Sequence, residues 1–484
     1  MKFSEGMNRM ASEVLSEKMG TVFTTTGEGK LLDLFATIGG LRHQDIDETV
    51  AKWARAYHEN PTLAANLILY TRDIREGGIG ERNIARALYN TLAKLEPIKV
   101  ATNFSTIVER GRWDDLWYSL VGTSIENQMW DFVMKQLVQD VTDMKEGKPI
   151  SLLAKWLPSV NTSSKTTREM ASRFITYAKI KPRTYRKTLS MLREYLNIVE
   201  RFMSSKDWNS IEFEKVPSKA MSRYIKAFQR NATERFEEYK EKLTKGETKV
   251  NVAALTPMDI AKKFFNNRHI DVIDEEQWKG LPNYVDEEHQ VVCVADVSGS
   301  MTSSNYEPIS ASVGLATYFA QRNTGAYHNL YMTFTNRPHF LKIEDNWSIE
   351  KCFKYVQSKD IGYSTNADLM FKAIFELAKQ THEAPAGVVV ISDGEFDSYT
   401  RWNSMDSIVS KWNREYEKIG LPAPRIISWN VACRNSTVIA PAEDGIAYCS
   451  GYSAGVFKNL VSYLTKEPYE AMVEVLTQPQ FCWK

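Results

Sequence analysis

Apolar side chains recur at helical spacing through most of residues 1–284. The stretches 63–70 and 83–94 are typical, and the glycines of 77–80 between them predict the turn of an αα-hairpin. Many short helices joined by corners, without a clean repeat period, predict a solenoid of helix pairs. Further helices are predicted over 97–111, 112–120, 151–158 and 221–243.

The periodicity changes after the acidic, aperiodic stretch 281–290, and we place the domain boundary between residues 284 and 285. Strands that alternate with helices predict a doubly wound, mostly parallel sheet over 285–484. The predicted strands are 290–296, 329–334, 386–392, 424–431 and 446–450. The predicted helices are 307–322, 349–356, 367–380, 404–418 and 454–465, with one more in 466–484. The predicted fold class is therefore helical followed by α/β.

The best candidate chemistry lies at the carboxyl ends of these strands. The first apolar run ends abruptly in Asp296, and Ser298 and Ser300 follow it. Open α/β sheets bind ligands at this edge, where later loops would add Thr365 and Asp393. Two carboxylates and three hydroxyls are hard oxygen ligands, and they leave room for water or a ligand oxygen. This set favours Mg²⁺, with Mn²⁺ or Ca²⁺ as alternatives.

Composition narrows the class of protein. The chain has 484 residues, 43% hydrophobic and 25% charged, which is typical of a globular protein with more than one domain. No stretch approaches 18 uninterrupted apolar residues, so we expect no membrane partner. Five scattered cysteines without CxxC spacing indicate reduced thiols and a cytoplasmic location.

The net charge of +1 conceals a strong local excess of basic residues. Residues 151–230 hold 17 Lys and Arg against 6 Asp and Glu, a balance of +11, whereas residues 286–484 carry −6. Such an excess indicates an anionic partner, although a solvated helix surface is an open alternative. The candidate RNA-binding residues are Arg72, Arg75, Lys155, Arg168, Arg173, Lys181, Arg183, Arg186, Lys187, Arg223, Lys226 and Arg230.

Two of these candidates have a competing interpretation. Arg72 and Arg75 flank the glycine-rich turn, where they could instead pair with Asp73, Glu76 or Glu81. The sequence argues against a phosphate loop there, because no strand precedes the glycines and no Gly-Lys-Ser/Thr follows them.

Two sets of motifs resemble known families. The Asp296–Ser300 set, Thr365 and the loop 392–394 resemble the metal-ion-dependent adhesion site of von Willebrand factor A domains. The helical part resembles the TROVE module of Ro autoantigen proteins, at 72–82, 111–116, 153–159, 185–193 and 215–221. Within that group the sequence looks closer to the uncharacterised phage, bacterial, plant and fungal relatives. The resemblance implies a ring of HEAT-like helical repeats that binds small non-coding or misfolded RNA, followed by an A-type domain.

Three hypotheses for function follow. The first is a non-enzymatic RNA-binding protein with a divalent-metal site, for which no DNA partner is predicted. The second is a metal-dependent scaffold for a protein ligand, which does not require RNA. The third, an enzyme that uses Asp296, Asp393 and Glu395 for phosphoryl chemistry, is disfavoured because the seven scattered histidines supply no obvious general base.

Overall fold

The computed structural model describes residues 13–15, 21–253, 255–285, 291–335, 337–359, 365–394, 405–433, 438–439 and 445–484. Within these residues the chain is helical up to residue 279, apart from one short hairpin, and then alternates strands with helices. This confirms the predicted fold class of a helical part followed by an α/β part.

The helices before the large sheet are short, and most join at tight corners. In chain order they are α1 Lys30–Thr37, α2 Ile46–Glu59, α3 Pro61–Arg72, α4 Arg82–Leu95, α5 Pro97–Thr102, α6 Phe104–Arg110, α7 Trp113–Leu120, α8 Glu126–Lys145, α9 Leu153–Trp156, α10 Lys165–Ala178, α11 Pro182–Tyr195, α12 Val199–Ser204, α13 Ser218–Asn231, α14 Thr233–Thr244, α15 Pro257–Asn267 and α16 Val272–Lys279. A two-stranded antiparallel hairpin, β1 Glu13–Leu15 and β2 Thr21–Phe23, precedes them. The prediction that residues 1–284 are helical throughout is therefore wrong for this hairpin.

The second part is a six-stranded mixed sheet in the order β5-β4-β3-β6-β7-β8. Its strands are β3 Val291–Asp296, β4 Leu330–Phe334, β5 His339–Lys342, β6 Gly387–Ser392, β7 Arg425–Asn430 and β8 Ile446–Ser450. Its helices are α17 Ser303–Arg322, α18 Ile349–Ser358, α19 Ala367–Thr381, α20 Met405–Lys418, α21 Leu460–Thr465 and α22 Pro468–Leu476. All neighbouring strands are parallel except β4 and β5.

The edge strand β5 escaped sequence prediction because only Leu341 among its four residues is buried. A short, mostly exposed edge strand lacks the apolar alternation that marks a strand in a sequence. The central strands β3 and β6 are buried at every position, as their continuous apolar runs predict.

The chain packs as two compact units. One comprises residues 1–81 and 252–481, and the other comprises residues 82–251 and 482–484. The first unit thus holds α1–α3, α15 and α16 together with the sheet. The boundaries of these compact units therefore differ from the boundary near residue 284 that the change of sequence periodicity marks. In this unit α1 packs on β7 and β8, and α15 packs on α17. Gly314 permits that approach, since a Cβ there would lie 3.0 Å from the Pro257 carbonyl.

The other unit is built of helices that contact neighbours one to three places along the chain, such as α4 with α7 and α8 with α11. Such short-range contacts are typical of helical repeats. The prediction of a single helix over 221–243 is wrong, because the helical conformation is interrupted at Ala232, between α13 and α14. The break brings the rings of Phe228 and Phe236 to 5.6 Å, and both pack on Phe213. Eight residues of one continuous helix would separate them by about 12 Å along its axis.

Candidate functional site

The sheet changes direction between β3 and β6. From β3 the chain continues to β4 and β5 on one side, and it returns to form β6 on the other side of β3. Where the connections from two neighbouring parallel strands run to opposite sides, a crevice forms at the carboxyl ends of the strands. Open α/β sheets bind their ligands in such crevices. Asp296 ends β3 and Ser392 ends β6, so both lie at this point.

Hydrogen bonds hold the Asp296 carboxylate, which is fully buried, from both strands. The backbone N–H of Ser298 donates to Oδ1 at 2.9 Å, and the hydroxyl of Ser392 donates to Oδ2 at 2.8 Å. Ser392 Oγ in turn accepts the N–H of Gly394 at 3.0 Å. Ser392 therefore connects the loop after β3 with the loop after β6.

The two serines after Asp296 lie side by side. Their hydroxyl oxygens are 3.0 Å apart, and a single 3-10 turn over Gly299–Thr302 orients them. Ser298 is buried, while Ser300 is partly exposed. The pair thus presents two oxygens next to the carboxylate from the same loop.

Asp393 and Thr365 are both buried, at 3% and 0% exposure. Asp393 follows Ser392 directly, and Gly394 after it adopts a left-handed φ of 81°. Thr365 precedes Asn366, whose side chain caps α19 by accepting the N–H of Leu369 at 3.0 Å. The hydrogen bonds bring together the Asp296 loop and Ser392; the metal role of all five candidates stays a prediction.

The donor set fits a hard cation by its chemistry, since the buried carboxylate of Asp296 and the adjacent hydroxyls of Ser298 and Ser300 are all hard oxygen ligands. Among the residues that the structure describes, no group of three or more His, Cys, Asp or Glu could hold a metal ion. The candidate set is of another kind, with two carboxylates and three hydroxyls. Glu395, named in the enzyme hypothesis, lies outside the described residues.

Four of the candidate RNA-binding cations form an exposed set on α11 and at its start. Lys181, Arg183, Arg186 and Lys187 are all exposed, and none forms an ion pair with any residue in the described ranges. The opposite face of α11 is buried through Tyr185, Leu189 and Leu192. We call these four cations the α11 basic face.

The other candidate cations lie in different environments. Arg72 is only 6% exposed, so little of it is accessible to RNA in this structure; its RNA-binding role stays a prediction. Arg168 donates to the carbonyls of Thr162 and Ser163, and Arg173 pairs with Glu126 at 2.9 Å. Lys155 lies 5.7 Å from the ring centre of Trp156. The remaining candidates are exposed, namely Arg75, Arg223, Lys226 and Arg230.

The glycine-rich turn is held by Asp73. Its Oδ2 accepts the backbone N–H groups of Arg75, Glu76 and Gly78 at 3.1, 2.7 and 3.2 Å. Glu81 instead pairs with Arg42, which comes from a segment far away in the sequence. The turn is thus organised by backbone amides. Sequence reasoning missed Arg42, and it named Ser392 only as part of the loop 392–394, without its hydrogen bond to Asp296.

None of the described helices is long and apolar enough to cross a membrane.

Comparisons with known proteins match most of the chain. A protein of Acanthamoeba polyphaga mimivirus, described only as uncharacterized, is 25% identical and aligns over 96% of this chain and 88% of its own length. The crystal structure of the Ro (RSR) protein of Deinococcus radiodurans is similar with a TM-score of 0.49 and 15% identity. It covers 91% of this chain and 99% of that one.

Two family models match adjoining parts of the sequence. Residues 127–292 match the domain of unknown function DUF2828, and residues 290–479 match the domain of unknown function DUF7788. The two matches meet at residues 290–292, where β3 begins. The chain is therefore similar to one domain family across most of α8–α16 and to another across the sheet.

Proposed function

We propose that this chain is a non-enzymatic RNA-binding protein that contacts RNA through the α11 basic face. The observation that carries the proposal is that these four cations are exposed and form no ion pair with any described residue. Exposed cations already paired with carboxylates must give up that pairing to bind a phosphate, whereas these four do not.

The expected mode of binding follows from the chemistry of these groups. Arg183 and Lys187 are four residues apart, and Arg186 is three from Arg183, so all three project from one side of the helix. Contacts between cations and phosphates release counterions, which makes the affinity depend steeply on salt and weakly on base sequence. Small non-coding or misfolded RNA would be bound by shape and charge.

We further propose that the carboxyl edge of the sheet holds Mg²⁺, or Mn²⁺ or Ca²⁺ in its place. Asp296, Ser298, Ser300, Thr365 and Asp393 would supply the protein ligands. The support is the fully buried Asp296 carboxylate at the carboxyl edge of the sheet, in the same loop as the paired hydroxyls of Ser298 and Ser300. Carboxylate and hydroxyl oxygens of this kind are the hard ligands that Mg²⁺, Mn²⁺ and Ca²⁺ prefer.

A filter-binding titration tests the RNA proposal. Single-stranded and hairpin RNAs are titrated with purified protein at two salt concentrations, and RNA that copurifies with the protein is sequenced. We expect affinity that weakens strongly at the higher salt concentration. Binding that is absent or insensitive to salt would contradict the proposal, and so would RNA turnover with Mg²⁺ that Asp393→Ala abolishes, because the protein would then be an enzyme.

The second candidate function is a metal-dependent protein-interaction scaffold that needs no RNA. It is favoured by the set of oxygen ligands at the switch point, which leaves room for a partner's carboxylate to complete the metal shell. It predicts a protein partner that is lost on chelation or in Asp296→Ala and is retained after ribonuclease treatment. Pull-downs that EDTA leaves unchanged would exclude it.

A further inference from the structure

Residues Ile38–His43 run along the carboxyl edge of the sheet, where the candidate metal site lies. We call these six residues the edge strap. They begin with the 3-10 turn Ile38–Gly40 and lead away from α1, which packs on β7 and β8. Both ends of the edge strap are anchored, but by different chemistry.

The first anchor is made of hydrogen bonds between the backbone of the edge strap and residues at the ends of β7 and β8. The N–H of Gly39 donates to Ser450 Oγ at 3.0 Å, and the N–H of Cys433 donates to the Gly40 carbonyl at 3.0 Å. The two glycines make this approach possible. A Cβ at Gly40 would lie 2.7 Å from the backbone N and 2.9 Å from the Cβ of Cys433.

The second anchor is an ionic cluster around Glu307. Its Oε2 lies 3.0 Å from His43 Nε2 and 3.6 Å from Arg42 Nη1, and its Oε1 accepts from Lys262 Nζ at 2.6 Å. Burial raises the pKa of Glu307, but Lys262, Arg42 and His43 outweigh this effect and hold the pKa below its usual value. Arg42 is held further by an ion pair with Glu81 and by the ring of Tyr452, 4.1 Å from its guanidinium carbon.

The positions of the two anchors define the path of the edge strap. Cys433 follows β7, whereas Glu307 belongs to the helix that follows β3, two strands away. Two strand spacings amount to roughly 10 Å. The three residues from Gly40 to His43 span at most about 10 Å, and the side chains of Arg42 and His43 extend their reach, so the edge strap is long enough to pass the end of the strand between the two anchors. The strand between β7 and β3 is β6, whose end carries Ser392 and Asp393.

Glu307 also lies close to the candidate metal loop along the chain. Ser304, Asn305 and Tyr306, directly before it, have left-handed φ values of 49°, 57° and 61°. Each such residue is strained by roughly 1–2 kcal/mol and persists only where its surroundings hold it. Glu307 thus joins the edge strap to the strained link between Ser300 and the regular part of α17.

We propose that the edge strap is a gate over the carboxyl edge of the sheet, closed by the bonds of Arg42 and His43 to Glu307. Opening the strap exposes the ends of β6 and β7 and lets a ligand reach the candidate metal site. The gate's effect on a ligand rests on the proposed metal site, whereas the opening and closing of the strap do not.

Cys433 reports on the strap without any engineered label. It is 2% exposed and its backbone N–H donates to the Gly40 carbonyl, so opening of the strap should raise the rate at which a thiol-specific maleimide labels it. Cys293, Cys352 and Cys449 are buried elsewhere, and Cys482 is partly exposed. Labelling is quantified at each cysteine by mass spectrometry on the full chain, with Cys482 as the internal reference.

We expect Glu307→Gln to raise the rate of Cys433 labelling about tenfold, the factor that corresponds to roughly 1.4 kcal/mol of lost anchoring. Arg42→Gln should act in the same direction. The matched control is Lys262→Gln, which weakens the same cluster from α15 and leaves both strap residues on Glu307; we expect less than about a twofold change for it. Gly40→Ala, which disrupts the other anchor, should also expose Cys433.

Unchanged Cys433 labelling in Glu307→Gln, Arg42→Gln and Gly40→Ala would overturn the gate. An equal rise at Cys293 and Cys449 would also overturn it, because the unit would then have loosened as a whole. Binding of Mn²⁺ to the wild type, followed by electron paramagnetic resonance, tests the metal site separately. If Mn²⁺ binds, Glu307→Gln should speed its release to excess EDTA; an unchanged rate would refute the gating role even if the strap opens.

Discussion

Neutralising the α11 basic face should weaken RNA binding by an amount that can be worked out in advance. The variant carries Arg183→Gln, Arg186→Gln and Lys187→Gln. These three side chains are exposed and form no ion pair with any residue that the structure describes, so each is available to a phosphate. The substitutions lie opposite the buried face of α11 and should leave its packing intact.

The magnitude follows from counterion release. Each phosphate contact on a single strand adds about 0.7 to the slope of log affinity against log salt, so losing three contacts should reduce the slope by about 2. At about 0.15 M salt the same relation gives a loss of affinity of roughly fifty-fold. The assay is a filter-binding titration of one single-stranded RNA at four salt concentrations, for the wild type and the variant.

The control variant has the same net charge and uses lysines that already have partners. Lys148→Gln, Lys215→Gln and Lys242→Gln each remove a cation paired with a neighbouring glutamate, at 2.7, 2.6 and 2.7 Å. We expect a change of less than about threefold, because exposed pairs of this kind contribute little. If the control loses as much affinity as the test variant, or if the test variant keeps the wild-type slope, binding does not depend on the α11 basic face.

Three further predictions concern the metal site, the helical unit and pH. Asp296→Ala should abolish the rise in melting temperature that Mg²⁺ or Mn²⁺ gives the wild type, and a rise retained by this variant would contradict the assignment. Asp345→Ala, whose carboxylate bonds His328 and Asn329 at the opposite end of β4, should keep the rise. Arg193→Gln removes three guanidinium hydrogen bonds of 2.7–2.8 Å and should lower the free energy of unfolding by about 2 kcal/mol in urea titrations, whereas an unchanged midpoint would contradict that role. The hydrogen bond to Asp345 raises the pKa of His328, so its small stabilising effect should be present below about pH 6.5 and fade as pH rises through the raised value. An NMR titration should place its midpoint above that of His328 in Asp345→Asn, and equal midpoints would refute the pairing.

Local patterns in the sequence were sufficient for most of the secondary structure. The continuous apolar runs of β3 and β6 predicted strands buried on both faces, and both are buried throughout. Tyr185, Leu189 and Leu192 recur at helical spacing in the sequence, and they form the buried face of α11. Periodicity reports on which side of an element faces a core, and that information is contained within the element itself.

Where two distant segments meet, the sequence was a poor guide. The helix break at Ala232 is explained by Phe213, which packs on both Phe228 and Phe236, and no local pattern indicates this contact. Arg72 and Arg75 flank the same turn, yet Arg72 is buried and Arg75 exposed. Burial of a charged side chain depends on what packs over it, and this is decided elsewhere in the chain.

The same distinction between local patterns and contacts of distant segments applies to the candidate site. The sequence alone identified Asp296, Ser298 and Ser300, because an apolar strand that ends in closely spaced oxygen ligands is a local pattern. Only the tertiary structure showed that Ser392, at the end of β6, donates a hydrogen bond to Asp296, at the end of the neighbouring β3. It also showed that Arg42 and His43 contact Glu307, which is more than 260 residues away in the sequence. Strand order and the closing of long loops depend on contacts between remote residues, so the sequence identified the candidate oxygen atoms and the fold determined what surrounds them.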